Sequence, residues 1–100
     1  MTVKIDEDAL YHRTLKVWGK ERQMLQVIEE MSELAKEILK NVNCKKDNIK
    51  ELIEETADVE IMIGQLKICC EISEQVAAYK ADKLKMIEQR LVEWEKKDNG

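Results

Sequence analysis

Apolar residues recur along most of this chain at intervals of three or four positions, the spacing that places side chains on one face of an α-helix. The pattern predicts four helices, over about residues 6–17, 20–40, 48–70 and 73–97. A turn is expected at Trp18-Gly19, because glycine weakens a helix interior. Four helices with short connections favour an all-α antiparallel four-helix bundle, built as a single domain over residues 1–100.

Local signals refine the last two helices. Asn48 followed by Glu51 resembles a capping box, in which two side chains satisfy backbone N–H groups at a helix start. Ser73 is a favourable N-cap for the fourth helix. Gly64, inside the third helix, is expected to permit a close approach of another helix.

The second half of the third predicted helix is apolar on almost every side. Its apolar residues are Val59, Ile61, Met62, Ile63, Leu66, Ile68, Cys69 and Cys70. A helix that is apolar all round has to be enclosed, and a chain of 100 residues has few surfaces with which to do so. We therefore expect an obligate homo-oligomer, at least a dimer, with helices 2 to 4 at the interface.

Two pairs of carboxylates lie on the second and third predicted helices. Glu30 and Glu33 form one pair, Glu55 and Asp58 the other, and residues three apart lie on one face of a helix. If the helices run antiparallel, the four carboxylates converge. Charges about 4 Å apart repel by about 4 kcal/mol at an effective dielectric near 20, so such a cluster requires a cation. Mg²⁺ prefers oxygen ligands and is the usual ion for handling phosphates.

Glu55 is the most informative of these acids, because it lies inside an apolar stripe. The stripe consists of Leu52, Val59, Met62, Leu66 and Cys69. A carboxylate is seldom buried unless it is paired or bound to a metal. Glu30 borders the stripe of the second helix, which consists of Val27, Met31, Leu34 and Ile38, and Glu33 is expected to turn further outward. The alternative is a solvated acidic face, since 38% of the residues are charged.

Composition excludes several classes of partner. The net charge of −4 and the lack of a basic stripe argue against nucleic-acid binding. No apolar run approaches the roughly 20 residues needed to span a bilayer, and the N-terminus lacks the apolar region of a signal peptide. Three cysteines without C-x-x-C spacing argue against a disulfide framework or a zinc site. We expect a reduced, cytoplasmic protein with no membrane partner.

The paired acids carry a family resemblance. The segments Glu29-Glu30-Met31-Ser32-Glu33 and Glu55-Thr56-Ala57-Asp58 resemble the E-E-x-x-E and E-x-x-D motifs of the MazG-like family of all-α nucleoside triphosphate pyrophosphohydrolases. Trp18-Gly19, Gln23, Leu34 and Lys83-x-x-x-x-x-x-Arg90 are weaker points of similarity. The resemblance covers most of the chain.

The resemblance implies hydrolysis of a (deoxy)nucleoside triphosphate to the monophosphate and pyrophosphate, dependent on Mg²⁺ or Mn²⁺. It implies Glu30, Glu33, Glu55 and Asp58 as metal ligands, and a dimer or dimer of dimers. Glu30 and Glu33 are the catalytic candidates, because a carboxylate beside the metal can position or deprotonate the attacking water. Which acid does so, and how many ions bind, stays open, and so does the choice of base and sugar.

Four other residues are candidates for substrate binding. Lys83 and Arg90, seven positions apart on the fourth helix, would hold phosphates, with a solvated basic edge as the alternative. Trp18 would stack on the base or else anchor the core. Gln23 would touch base or sugar, or else be exposed. The rival to the enzyme is a non-catalytic helical interaction module, or a regulator that binds nucleotide without hydrolysing it.

Overall fold

The computed structural model describes residues 4–99, which form four α-helices and no strand. The helices are α1 (Glu7–Trp18), α2 (Lys20–Asn43), α3 (Ile49–Cys69) and α4 (Ser73–Asn99). The predicted all-α class is confirmed, and the predicted ends lie within a turn of the observed ones. Residues 1–3, part of the segment used to argue against a signal peptide, and residue 100 lie outside the described range.

The first two helices are separated by Gly19 alone. Asp6 starts α1, because its side-chain Oδ1 accepts the Ala9 N–H at 3.2 Å. Gly19 then has φ of 87°, in the left-handed region that favours glycine, and ends α1 while preceding α2 directly. The predicted turn at Trp18-Gly19 is confirmed.

Helices α2 and α3 form an antiparallel hairpin, closed by the side chain of Asn48. Asn48 is 1% exposed, and its Nδ2 donates to the Glu37 carbonyl oxygen at 2.9 Å and to Glu37 Oε1 at 3.0 Å. Its amide oxygen accepts from Asn41 Nδ2 at 3.0 Å. Asn48 is the N-cap of α3 but makes no side-chain capping bond, so the predicted capping box is wrong. The side-chain amide of Asn48 instead forms hydrogen bonds across the loop to residues of α2.

Helix α1 packs on α3 through Tyr11 and Gly64. A Cβ added to Gly64 would lie 2.7 Å from Cε2 of the buried Tyr11 ring, so only glycine allows this approach, as predicted. Beside it, the Thr14 hydroxyl oxygen lies 2.8 Å from the Tyr11 carbonyl oxygen and 3.2 Å from Gln65 Oε1, so its single proton is shared between two acceptors. One aromatic contact and one polar contact thus help to hold α1 on α3.

The predicted stripe of α3 is buried or half-buried throughout, with Met62 and Cys69 at its centre. The stripe of α2 behaves differently: Val27 is buried, whereas Met31 and Ile38 are 51% and 46% exposed. Met62 therefore belongs to the core of one chain. The cover of α3 by a second copy stays a prediction, and the exposed apolar surface of residues 4–99 lies mostly on α2 and α4.

The end of α3 is a tight turn built on Glu71. The Ile72 N–H donates to the Lys67 carbonyl and the Glu71 N–H to the Ile68 carbonyl, which is the Schellman pattern of a helix C-terminus. Glu71 has φ of 55°, a conformation that glycine adopts more readily. The Ile72 carbonyl oxygen accepts the first hydrogen bond of α4, from the Val76 N–H at 2.9 Å. The N-cap of α4 is therefore Ile72 and not the predicted Ser73, which is the first helical residue.

Helix α4 does not close the bundle within one chain. Among the described helices it contacts only α3, and its side chains from 77 to 98 are all exposed. The molecule measures 57 × 36 × 36 Å with a radius of gyration of 17.8 Å, whereas a compact chain of this length has about 13 Å. None of the helices in residues 4–99 has a stretch long and apolar enough to cross a membrane.

Candidate metal centre

The antiparallel hairpin brings three of the four predicted metal ligands together. Glu30 projects from α2, and Glu55 and Asp58 project from consecutive turns of α3. One carboxylate oxygen from each lies within 4.8 Å of the other two. Glu30 and Glu55 are half-buried and Asp58 is exposed, so the cluster is a shallow site between two helices with one open side.

Glu55 is the innermost member of this cluster. Its Oε2 is inaccessible to solvent and has no hydrogen-bond partner among the described residues. Burial is the main cause that raises the pKa of Glu55, followed by the negative charge of Asp58 and then of Glu30. Glu33 and Glu37 add smaller contributions in the same direction. Glu55 is thus an unpaired, partly desolvated carboxylate beside two other converging acids, and a cation at this place would offset the cost of its burial.

Glu30 and Glu33 differ in their surroundings. Glu30 Oε1 accepts from Gln26 Nε2 at 3.0 Å, one turn earlier on α2, and this bond restrains the carboxylate. Glu33 is exposed, as expected, and lies 3.5 Å from Lys36 Nζ. It is outside the group of three converging oxygens. The fourth predicted ligand therefore stands one helical turn from Glu30 but is not part of the cluster.

Glu37 was not predicted to belong to this face, yet it acts on Glu55. It accepts hydrogen bonds from Asn48 Nδ2 and from Lys40 Nζ at 3.1 Å, and these bonds lower the pKa of its carboxyl group, with Asn48 as the main cause. The sequence does hold a signal for it. Glu37 stands seven residues after Glu30, two turns along the same helix face.

The four candidates for substrate binding lie in different surroundings. Trp18 is 51% exposed, with the Arg22 guanidinium 5.9 Å from its ring centroid. Gln23 is 4% exposed, so the alternative of an exposed side chain is wrong, and its contact with base or sugar stays a prediction. Lys83 Nζ lies 5.6 Å from the ring centroid of Tyr79, and Lys83 and Arg90 both lie on the exposed part of α4.

The donor set fits a hard divalent cation. Carboxylate oxygens from two helices, with room for water on the open side, are the ligands that Mg²⁺ and Mn²⁺ accept. The unpartnered Glu55 oxygen supports this fit, because a bound cation would satisfy it. Searches of the chain against protein-family models, curated proteins and solved structures find no match.

Proposed function

We propose that this protein is a Mg²⁺-dependent (deoxy)nucleoside triphosphate pyrophosphohydrolase of the MazG-like kind, which releases a nucleoside monophosphate and pyrophosphate. The observation that carries the proposal is the cluster of Glu30, Glu55 and Asp58, with a buried Glu55 oxygen that lacks a partner. The specific reaction type rests on the resemblance of the acid pairs, E-x-x-E and E-x-x-D, to the motifs of the MazG-like family.

In this proposal Glu30, Glu55 and Asp58 hold the cation. A divalent cation neutralises polyphosphate charge and lowers the pKa of water, which is the chemistry that the site would receive from it. Glu33 stands beside the cluster, exposed and outside the three converging oxygens. In this proposal Glu33 either completes the ligand set or accepts a proton from the attacking water. Glu30, held by Gln26, is the second catalytic candidate.

We also propose that the protein is a homo-oligomer, a dimer or a pair of dimers. The support is the apolar surface that one chain leaves open. On α2 this surface consists of Met24, Leu25, Ile28, Met31, Ile38, Leu39 and Val42, each at least 38% exposed. Part of it borders a groove of about 650 Å³. Obligate dimers bury apolar surfaces of this kind.

The decisive experiment compares Glu55→Gln with Glu54→Gln, because Glu54 is an exposed glutamate on the same helix that is outside the cluster. Mg²⁺ at 100 times its dissociation constant is expected to stabilise the wild type and Glu54→Gln by about 2.7 kcal/mol. Glu55→Gln should gain far less and should lose turnover, while its circular dichroism stays helical. Equal Mg²⁺ stabilisation and full activity in Glu55→Gln would rule the site out.

The reaction type is tested separately, by chromatography of the products from a panel of nucleoside triphosphates. Monophosphate and pyrophosphate are the expected products, and the primary release of orthophosphate would contradict the reaction. The exposed apolar faces of α2 and α4 favour a second candidate, a non-catalytic helical interaction or nucleotide-binding module. That candidate predicts binding of a partner or nucleotide with no product in the same assay.

A further inference from the structure

Helix α4 carries an apolar seam with the spacing of a coiled coil. Leu84, Ile87, Leu91 and Trp94 follow one another at intervals of three, four and three residues, which are alternating a and d positions of a heptad. All four side chains are between 55% and 64% exposed. A solitary helix gains little stability from propensity alone, so a helix of 27 residues with an uncovered apolar seam indicates a partner helix.

The charges that flank this seam are segregated by sign. With Leu84 and Leu91 at position a, the g positions before them are Lys83 and Arg90, and both are basic. The e positions, which follow Ile87 and Trp94, are Glu88 and Glu95, and both are acidic. All four charged side chains are exposed. In coiled coils the e and g residues select the partner and its orientation.

We propose that α4 pairs with α4 of a second copy as a parallel, in-register coiled coil over residues 83–97. In a parallel pair, each g residue faces the e residue of the following heptad on the other helix. Lys83 then faces the partner's Glu88, and Arg90 faces the partner's Glu95. The two-fold axis repeats both contacts, so each of these four flanking charges is matched by its opposite.

The charges select against the antiparallel arrangement. Antiparallel helices place g opposite g and e opposite e, which would bring the basic residues Lys83 and Arg90 of two copies together and leave the acidic residues facing each other. Like charges in such positions destabilise the pair. The flanking charges therefore indicate which helix joins the copies and the direction in which it pairs.

This proposal names the contact behind the proposed oligomer but does not depend on hydrolysis. It gives Lys83 and Arg90 interhelical acidic partners in place of substrate phosphates, so the two assignments can be separated by experiment. Within one chain, Lys83 lies over the ring of Tyr79, which is outside the seam, and Lys97 lies over the ring of Trp94, which belongs to it.

The seam is tested with Leu91→Lys and its neighbour Val92→Lys. Both residues are exposed and apolar, at 56% and 43%, but Val92 points away from the seam. Sedimentation equilibrium without nucleotide, with circular dichroism to check the helix content, is expected to show at least a tenfold loss of association for Leu91→Lys. Val92→Lys should associate like the wild type. A monomeric wild type, or a dimer indifferent to Leu91→Lys, would overturn the proposal.

The direction of pairing is tested by charge reversal and rescue. The pair Lys83→Glu with Arg90→Glu, and separately the pair Glu88→Lys with Glu95→Lys, should each weaken association about tenfold or more, because all interhelical contacts become repulsive. The four substitutions together restore opposite charges and should restore association. Failure of that rescue, or no effect of the double reversals, would refute the parallel register. Neither outcome bears on turnover, which is assayed separately.

Discussion

The contact between Tyr11 and Gly64 gives a quantitative test of how α1 is held. In Gly64→Ala the new Cβ would lie 2.7 Å from Cε2 and 3.3 Å from Cζ of the Tyr11 ring, whereas carbon atoms prefer about 3.5–4.0 Å. Overpacking of this kind costs about 1–3 kcal/mol, against a gain of about 1 kcal/mol from replacing glycine by alanine inside a helix. We expect a net loss of up to about 2 kcal/mol.

The sign of the effect should reverse when the ring is removed. In a Tyr11→Ala background the clash is absent, so Gly64→Ala should stabilise the protein by about 1 kcal/mol. The two substitutions are then coupled by about 1–3 kcal/mol in a double-mutant cycle. Ala57→Gly, at an exposed position of α3, is the matched control for helix propensity and should cost about 1 kcal/mol.

Urea unfolding followed by circular dichroism, at one fixed protein concentration, gives each free energy of unfolding. The reasoning fails if Gly64→Ala has the same effect with and without Tyr11. An additive cycle would show that α1 does not pack on α3 through this contact.

Three further predictions concern stability. Because the pKa of Glu55 is raised in the folded state, its negative charge destabilises the metal-free protein above that pKa. In EDTA, Glu55→Gln should therefore melt at a higher temperature than the wild type, and this difference should shrink as the pH falls from about 7.5 to about 5. A difference in melting temperature that does not change with pH would contradict this. Asn48→Ala removes the bonds to Glu37 and Asn41 and should cost about 1–3 kcal/mol in urea unfolding, whereas a neutral result would show that the loop is held otherwise. Glu71→Gly relieves a left-handed backbone conformation and should raise stability by about 1 kcal/mol in the same assay; a loss would mean that the Glu71 side chain makes a contact of its own.

The periodic pattern was sufficient for the helices and for the position of Glu55. Helix α3 shows why: its stripe is interrupted by a single carboxylate, and period alone places that carboxylate against the neighbouring helix. The turn at Gly19 and the close contact at Gly64 were also predictable, since each needs the one residue that lacks a Cβ.

Other features depend on distances that a pattern does not contain. Whether Glu33 joins Glu30 and Glu55 is decided by the spacing and crossing angle of two helices, which vary with the side chains at the contact. Asn48 had two competing uses for its amide, a local cap and a bond across the loop, and only the fold selects between them. On α2, the period marks Met31 and Ile38 as apolar but does not identify what covers them.

The hairpin that carries the acids has a consequence for the time course of folding. Glu30, Glu55 and Asp58 come together around one short loop, residues 44–48, without any contribution from α4. Contacts between segments close in sequence form early, because little chain entropy is lost in closing the loop. We therefore expect the acids to repel one another already in the folding transition state. Bound Mg²⁺ would then stabilise that transition state as well as the native state. In stopped-flow experiments the ion should accelerate refolding as well as slow unfolding, and the chain would acquire its affinity for metal before it finds a second copy.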